Sequence, residues 1–356
     1  MNTRMRMTHT QLAPDRTASA RGLARLSRRY ELYAALTIVA LCALVQLRSG
    51  QFLSANNLVD IVVSMIVPAM FGMCALIVIV SGGIDVSFTA VASLSMFATT
   101  KILLSSGFSG GVFWAFAFSA LFGLILGAFN GAIIALFNLP TLIVTLGTQS
   151  VFMGILQGAL NAQEIADVPK AIFDFGNARL FVATNAVSGL TSNLSSSVLI
   201  LFGVVVLTFF LLRYTIWGRG VYAIGGDPVS AVRAGFPVKW IKFSIYCLVG
   251  LMAGIAGMTR VCMMQNCQPT NLIGMELLVI ASVVLGGASI TGGSGTITGV
   301  LLGTALITIM SNSLLLLGIP SYWQNFFTGL LIIVGTGISA FQVLARRNRL
   351  PKILDA

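Results

Sequence analysis

The chain has 356 residues, of which 57% are hydrophobic and only 9% charged, with a net charge of +11. Soluble domains carry about 25% charged residues, so this composition excludes an ordinary water-soluble fold. The one histidine, His9, lies in a polar N-terminal stretch, and the sequence has no Gly-Lys pair; histidine-based catalysis and a nucleotide phosphate loop are both disfavoured.

Residues 1–30 are polar and basic and read as a disordered tail. A signal peptide is the rival reading, but no small-residue cleavage site follows Leu47, so an uncleaved first span is expected. A membrane helix needs about 20 apolar residues. Candidate spans fall near 31–48, 58–80, 86–104, 112–137, 141–160, 197–213, 243–260, 274–290, 295–317 and 322–343. Of the 21 basic residues, 16 lie in the N-terminal tail, in the loop 213–242 or in the tail 344–356. Cytoplasmic segments are enriched in Lys and Arg, which puts both termini and that loop in the cytoplasm. The other five (Arg48, Lys101, Lys170, Arg179 and Arg260) fall at the opposite face. The charge is thus explained by topology and anionic lipid rather than by nucleic acid. The fold class is an all-α polytopic membrane protein of about ten helices.

The first motif, residues 81–87, joins the second and third spans and contains Gly82, Gly83, Asp85 and Ser87. Two glycines permit a sharp break. Asp85 has two compatible readings: a cap on the third helix, or an ionisable group facing a permeation path. Asp60 reads as a cap on the second span. The fourth span carries Gly123, Gly127 and Gly131, and the ninth Gly295, Gly299 and Gly303. Each is a double G-x-x-x-G, which lets helix backbones approach closely in lipid. The recurrence five spans apart, in opposite directions, suggests an inverted five-helix repeat.

Pro140 opens the fifth span, which carries Thr145, Thr148 and Gln149. These polar groups bond along or between helices, or touch a polar solute. In the loop 213–242, residues 218–226 read as a short helix ending in a Gly-Gly turn. A second helix follows, capped by Asp227 with Pro228 in its first turn. An ordinary amphipathic cytoplasmic loop is one reading; Arg219, Tyr222, Arg233 and Phe236 on small-residue helices also suit docking into a groove on a soluble partner, and Ala223, Gly225, Gly226, Asp227, Ala231 and Gly235 complete the expected docking set. Glu276 opens the eighth span, with Arg260 within reach across an external turn. Residues 286–299 form a glycine-rich link between the eighth and ninth spans, read as a tight interhelical turn rather than an anion-binding nest. Among the five cysteines, Cys262 and Cys267 are the one pair near enough for a disulfide, but they point apart on a helix. No cysteine or histidine spacing suggests a metal site.

Four of these stretches together resemble the permease subunits of bacterial carbohydrate ABC importers of the ribose, xylose, arabinose and galactose type. A Ser-Gly-Gly-Ile-Asp-Leu-Ser element is matched by 81–87, and a Pro-x-Phe-Ile-Val-Thr-Leu-Gly-Thr element by 140–148, with Leu142 in place of Phe. A Gly-Arg-x-x-Tyr-Ala-Ile-Gly-Gly-Asn element is matched by 218–227, with Asp227 in place of Asn, and a Gly-Gly-x-Ser-x-x-Gly-Gly-x-Gly element by 286–295. Two departures stand out. Phe88-Thr89 replaces the usual Val-Gly, and the segment after Asp227 lacks the usual Ser before Gly235.

The resemblance implies a fold related to the vitamin B12 importer permease, in the bacterial inner membrane. It implies a coupling helix within 218–238 that docks on a cytoplasmic ATPase, a second permease chain completing the pore, and a periplasmic solute-binding protein. No cofactor belongs to this chain itself; ATP would be hydrolysed on the partner subunit, and the chain would not be an enzyme. Gly82, Gly83, Asp85, Ser87, Thr145, Gln149 and Glu276 are the candidate solute-pathway residues. The expected function is import of a sugar or sugar-like solute, the autoinducer 2 signal being a rival solute. An ion-gradient-driven secondary transporter is the rival class.

Overall fold

The computed structural model describes residues 16–184 and 191–323 and, beyond them, Phe326, Phe327, Gly329, Leu330, Ile333 and Gly337. Its long helices are α1 (Arg16–Ser49), α2 (Ala55–Val80), α3 (Phe88–Ser105), α4 (Val112–Phe137) and α5 (Thr141–Gly154), the last continued by a π-helical turn, Ile155–Ala159. Then come α6 (Lys170–Asn177), strands β1 (Arg179–Thr184) and β2 (Thr191–Ser195), and α7 (Ser197–Tyr214). The chain continues with α8 (Ile216–Gly226), α9 (Pro228–Arg233), α10 (Val238–Met264), α11 (Met275–Leu285) and α12 (Ile297–Leu316). Among the described residues, eight helices are long and apolar enough to cross a membrane. The protein is thus a polytopic helical membrane protein with one small antiparallel hairpin.

Helix α2 is the axis of the bundle. Residues 66–80 are buried on all sides except at Pro68, as expected of a helix without a polar face that is enclosed by others. Helix α10 packs beside it and also contacts α3 and α4. The α4–α10 seam is closed by glycines: Gly123 and Gly127 lie against the backbone of Gly250, and Gly131 against Phe243. Close approach of this kind is the usual route to helix adhesion in lipid, where burial of apolar surface gives little drive. Ser119 adds a hydrogen bond of 2.7 Å to the Gly254 carbonyl. The second glycine series behaves similarly but is shorter. Gly299 and Gly303 of α12 press on the Gly286 and Ser282 carbonyls, while Gly295 lies in the loop ahead of the helix, against Leu76 and Val80 of α2. Packing partners recur in exchanged form. Helix α4 packs on α10 as α12 packs on α2, and α3 packs on α10 as α11 packs on α2.

Several elements differ from the sequence expectation. Helix α1 begins at Arg16, so the second half of the stretch read as a disordered tail is helical; residues 1–15 lie outside the described residues. The eighth span shrinks to the 11 residues of α11, because Gly274, at φ 87°, and the turn at Gly286–Gly287 bound it on either side. At 1.5 Å per residue it covers about 16 Å, roughly half of the hydrocarbon thickness. The tenth span, 322–343, lies for the most part outside the described residues, and the tail 344–356 entirely so. The cap of α2 is Ser54, which accepts the Asn57 N–H, and not Asp60. The polar segment 161–196 is not featureless. Ile165 and Cys267 exchange backbone hydrogen bonds of 3.0 and 2.9 Å, α6 rests on the end of α10 through Gly176 and Cys262, and the hairpin leans on α2. Cys262 and Cys267 are both free and buried.

Candidate functional site

The four motif stretches, far apart in sequence, meet at one end of the bundle. Helix α2 ends at Ser81, and Gly82 turns the chain with φ 82°. Residues 83–87 then run without helix into α3. Such a stretch needs partners for its backbone groups, and the start of α5 supplies them. The Thr141 hydroxyl accepts the Ile84 N–H at 2.9 Å and the Thr145 hydroxyl the Val86 N–H at 3.4 Å. Asp85 accepts the Ser87 N–H and hydroxyl, each at 2.7 Å, and Asn130 of α4 donates to the Ser87 hydroxyl at 2.8 Å. Asp85 and Ser87 are both buried. Asp85 therefore holds the loop that precedes α3 and does not cap the helix itself.

The glycine link 286–296 lies against the same turn. Gly293 N–H donates to the Val80 carbonyl at 2.9 Å, which occupies the last acceptor position of α2. Gly225, near the end of α8, fits between them. A methyl group at Gly225 would overlap the Val80 carbonyl oxygen and stand 2.6 Å from the Gly293 nitrogen. Gly292 lies over both Gly82 and Gly225. Three backbone segments thus interlock with no room for a side chain. The Tyr222 hydroxyl donates to the Gly295 carbonyl at 2.8 Å, and burial raises the Tyr222 phenol above its ordinary pKa. Glu31 of α1 accepts from the Thr296 hydroxyl at 2.6 Å, so the link is tied to the first span as well.

The residues expected to dock a partner divide in two. Tyr222, Ala223 and Gly225 are half-buried and Ala231 is buried; these face the chain's own bundle. Arg219, Gly226, Asp227, Arg233 and Gly235 are exposed, and Val229 and Val232 stand beside them at 59% and 61% exposure. Exposed valines rimmed by arginines form the kind of patch that soluble partners cover. Asp227 is the N-cap of α9, accepting from the Val229 and Ser230 N–H groups. The Ser230 hydroxyl and the Val229 N–H hold its carboxyl below the usual carboxylate range.

The expected solute-pathway residues divide too. Gly83, Asp85, Ser87 and Thr145 are buried within the chain, and Gly82 belongs to the turn at the α8 end. Gln149 and Glu276 are half-buried and come together. The Gln149 amide donates to Glu276 Oε1 at 3.2 Å, while Glu276 Oε2 accepts from the Thr89 hydroxyl and the Gly274 N–H, each at 3.0 Å. Arg260 does not reach Glu276. It donates to Asn271 Oδ1 at 2.7 and 3.1 Å instead, because residues 265–274 carry α11 away from the end of α10. Sequence reasoning left out Asn130 and Glu31; an amide in the middle of an otherwise apolar helix was the available signal for Asn130.

Opposite the α8 end, the Lys101 ammonium donates to the Leu160 carbonyl at 2.7 Å. It borders a cavity of about 380 Å³ lined also by Phe97, Gln163 and Glu164.

Comparison with known proteins agrees with this arrangement. Residues 57–335 match the family described as the branched-chain amino acid transport system / permease component. The L-arabinose ABC transporter permease protein AraH of Azospirillum brasilense is 28% identical over 319 residues, 88% of this chain and 88% of the relative. The ribose import permease protein RbsC of Escherichia coli K12 is 31% identical, over 84% of this chain and 90% of the relative. The autoinducer 2 import system permease protein LsrC of Shigella flexneri is 31% identical, over 85% and 84%. No solved structure matches. A helical membrane bundle, a glycine-locked loop at one end, and a match over most of its length to permease components place this chain in the permease family of ABC importers, among relatives that carry sugars and sugar-like solutes.

Proposed function

We propose that this chain is the membrane subunit through which a sugar or sugar-like solute enters the cytoplasm, driven by ATP hydrolysis on separate subunits. The observation that carries the reading is the interlock of α8 with the loops 81–87 and 286–296. A force applied to α8 and α9 from outside the bundle passes through backbone contact to the end of α2 and to the loops that lead into α3 and α12, and through the Thr141 and Thr145 hydroxyls to α5. The exposed face formed by Arg219, Gly226, Asp227, Val229, Val232 and Arg233 is where the ATPase docks. The basic segment 213–242 and the start of the first span, where Glu31 meets Thr296, lie at the α8 end; with the arginine bias of the tails in sequence, this supports a cytoplasmic α8 end and cytoplasmic termini.

A second permease chain faces α5, which exposes Ile143, Gly147, Ser150 and Gly154 along one side, and the solute passes between the two. A solute-binding protein meets the opposite end, where the hairpin and the Lys101 cavity lie. The exchanged packing partners of α2–α4 and α10–α12 support an inverted repeat, and access alternates by rocking of these units. The similarity to both RbsC and LsrC leaves the solute at the class of small polyhydroxylated molecules.

The test is co-purification and uptake with the cognate ATPase. Gly226→Asp places a second carboxylate beside Asp227 on the docking face. Uptake should fall by an order of magnitude or more, with the chain still inserted in the membrane. Unchanged ATPase association and uptake would refute the docking assignment.

A further inference from the structure

Glu276 is a half-buried carboxylate at the start of the half-length helix α11, part-way along the bundle. Gln149, its partner, lies eight residues beyond the start of α5, about 12 Å from the α8 end by helical rise. Ionisable groups at such depth are costly and usually serve a pathway. Among the described residues no basic side chain pairs with Glu276; the one ion pair is Lys170–Asp174, at the opposite end. Its charge is met instead by the Thr89 hydroxyl, the Gln149 amide and the Gly274 N–H, contributed by α3, α5 and the approach to α11. Two of these donors are side chains, the fully buried Thr89 and the half-buried Gln149. Thr89 is also one of the two residues at which the chain departs from the Val-Gly of the permeases it resembles.

We propose that Glu276, closed over by Thr89 and Gln149, is the constriction that discriminates among solutes. It admits neutral polyhydroxylated molecules and rejects anions. In the closed state the carboxylate is saturated by the chain's own donors. A passing solute substitutes its hydroxyls for the Thr89 hydroxyl and the Gln149 amide, exchanging like hydrogen bonds at small net cost. An anionic solute of the same kind brings the same hydroxyls but adds a negative charge, which the unpaired carboxylate repels. Substitution of Thr89 loosens the closure without touching the charge; substitution of Glu276 removes the charge.

This inference rests on the permease reading, and its test separates the two. The full-length chain is reconstituted in liposomes without ATPase, and passive entry of xylitol and of D-gluconate is followed by light scattering. Thr89→Val, and independently Gln149→Leu, should raise xylitol entry roughly tenfold, the scale of one hydrogen bond to a charged group. Gluconate should stay at the wild-type rate. Adding Glu276→Gln to Thr89→Val should let both solutes pass alike. Unchanged xylitol entry in both single variants, or equal entry of gluconate in them, would overturn the proposal. ATP-driven uptake by the assembled wild-type importer, measured separately, tests the permease reading and is indifferent to these outcomes.

Discussion

Gly225 and Gly226 are adjacent, alike in sequence, and unlike in what surrounds them. Gly225 touches the Val80 carbonyl and Gly293, whereas nothing lies within 4 Å of a methyl group placed on Gly226. Gly225→Ala should therefore force the loops apart and lower ATP-driven uptake by at least tenfold, while Gly226→Ala should leave uptake near wild type. Overpacking against backbone costs about 1–3 kcal/mol, enough to shift the loops without unfolding the bundle. Equal uptake by the two variants, measured at matched membrane levels, would remove the interlock from the mechanism. The motif pattern marks both glycines as important and says nothing of the difference. Only the approach of α2 and of the 286–296 link separates the two. The same holds for Tyr222, which reads as a docking residue in the sequence and in the fold ties α8 to Gly295.

At the scale of elements, glycine spacing was a sound guide to contact and a poor guide to partner. Gly123, Gly127 and Gly131 do line a close helix seam, but nothing in their spacing names the partner, although Gly250 and Gly254 on α10 form a G-x-x-x-G pair of their own. Gly127→Leu should open this seam. A bulky side chain against the Tyr246 and Gly250 backbone should lower the midpoint of unfolding in mixed detergent, by an amount on the order of 1–3 kcal/mol. An unchanged midpoint would show that the α4–α10 contact does not hold the bundle together. Helix α11 makes the complementary point. Its apolar run of 274–290 reads as a full span, yet the positive φ of Gly274 and the turn at Gly286 leave 11 helical residues. The shortening is what sets Glu276 at depth beside Thr89 rather than at a surface beside Arg260.

For the whole molecule, the charge bias and the interlock point the same way: among the described residues, one end carries the basic segment 213–242 with α8 and α9 and all four motif stretches. A cysteine in place of the exposed Val232 of α9 should be labelled by a membrane-impermeant maleimide only in inverted vesicles. One in place of the exposed Phe181 of the hairpin should be labelled only in intact spheroplasts. The reverse pattern would invert the bundle and undo the ATPase assignment. Both positions are exposed, at 61% and 56%, so in membranes holding the permease without its ATPase, failure to label would report sidedness and not burial.

Composition and apolar run length determined that this protein lies in a membrane and crosses it many times, because the hydrocarbon slab imposes one length and one polarity on every helix. The distribution of arginine carries the expectation of sidedness, since that preference acts segment by segment and needs no tertiary contact. What the tertiary structure alone decided was the sharing of roles among similar residues. It showed which glycines are pressed against backbone, that Asp85 is sealed within the chain while Glu276 is not, and that Thr89 meets Glu276 across 187 positions of sequence. Those outcomes depend on contacts between segments that share no local pattern, so no periodicity in the chain could have carried them.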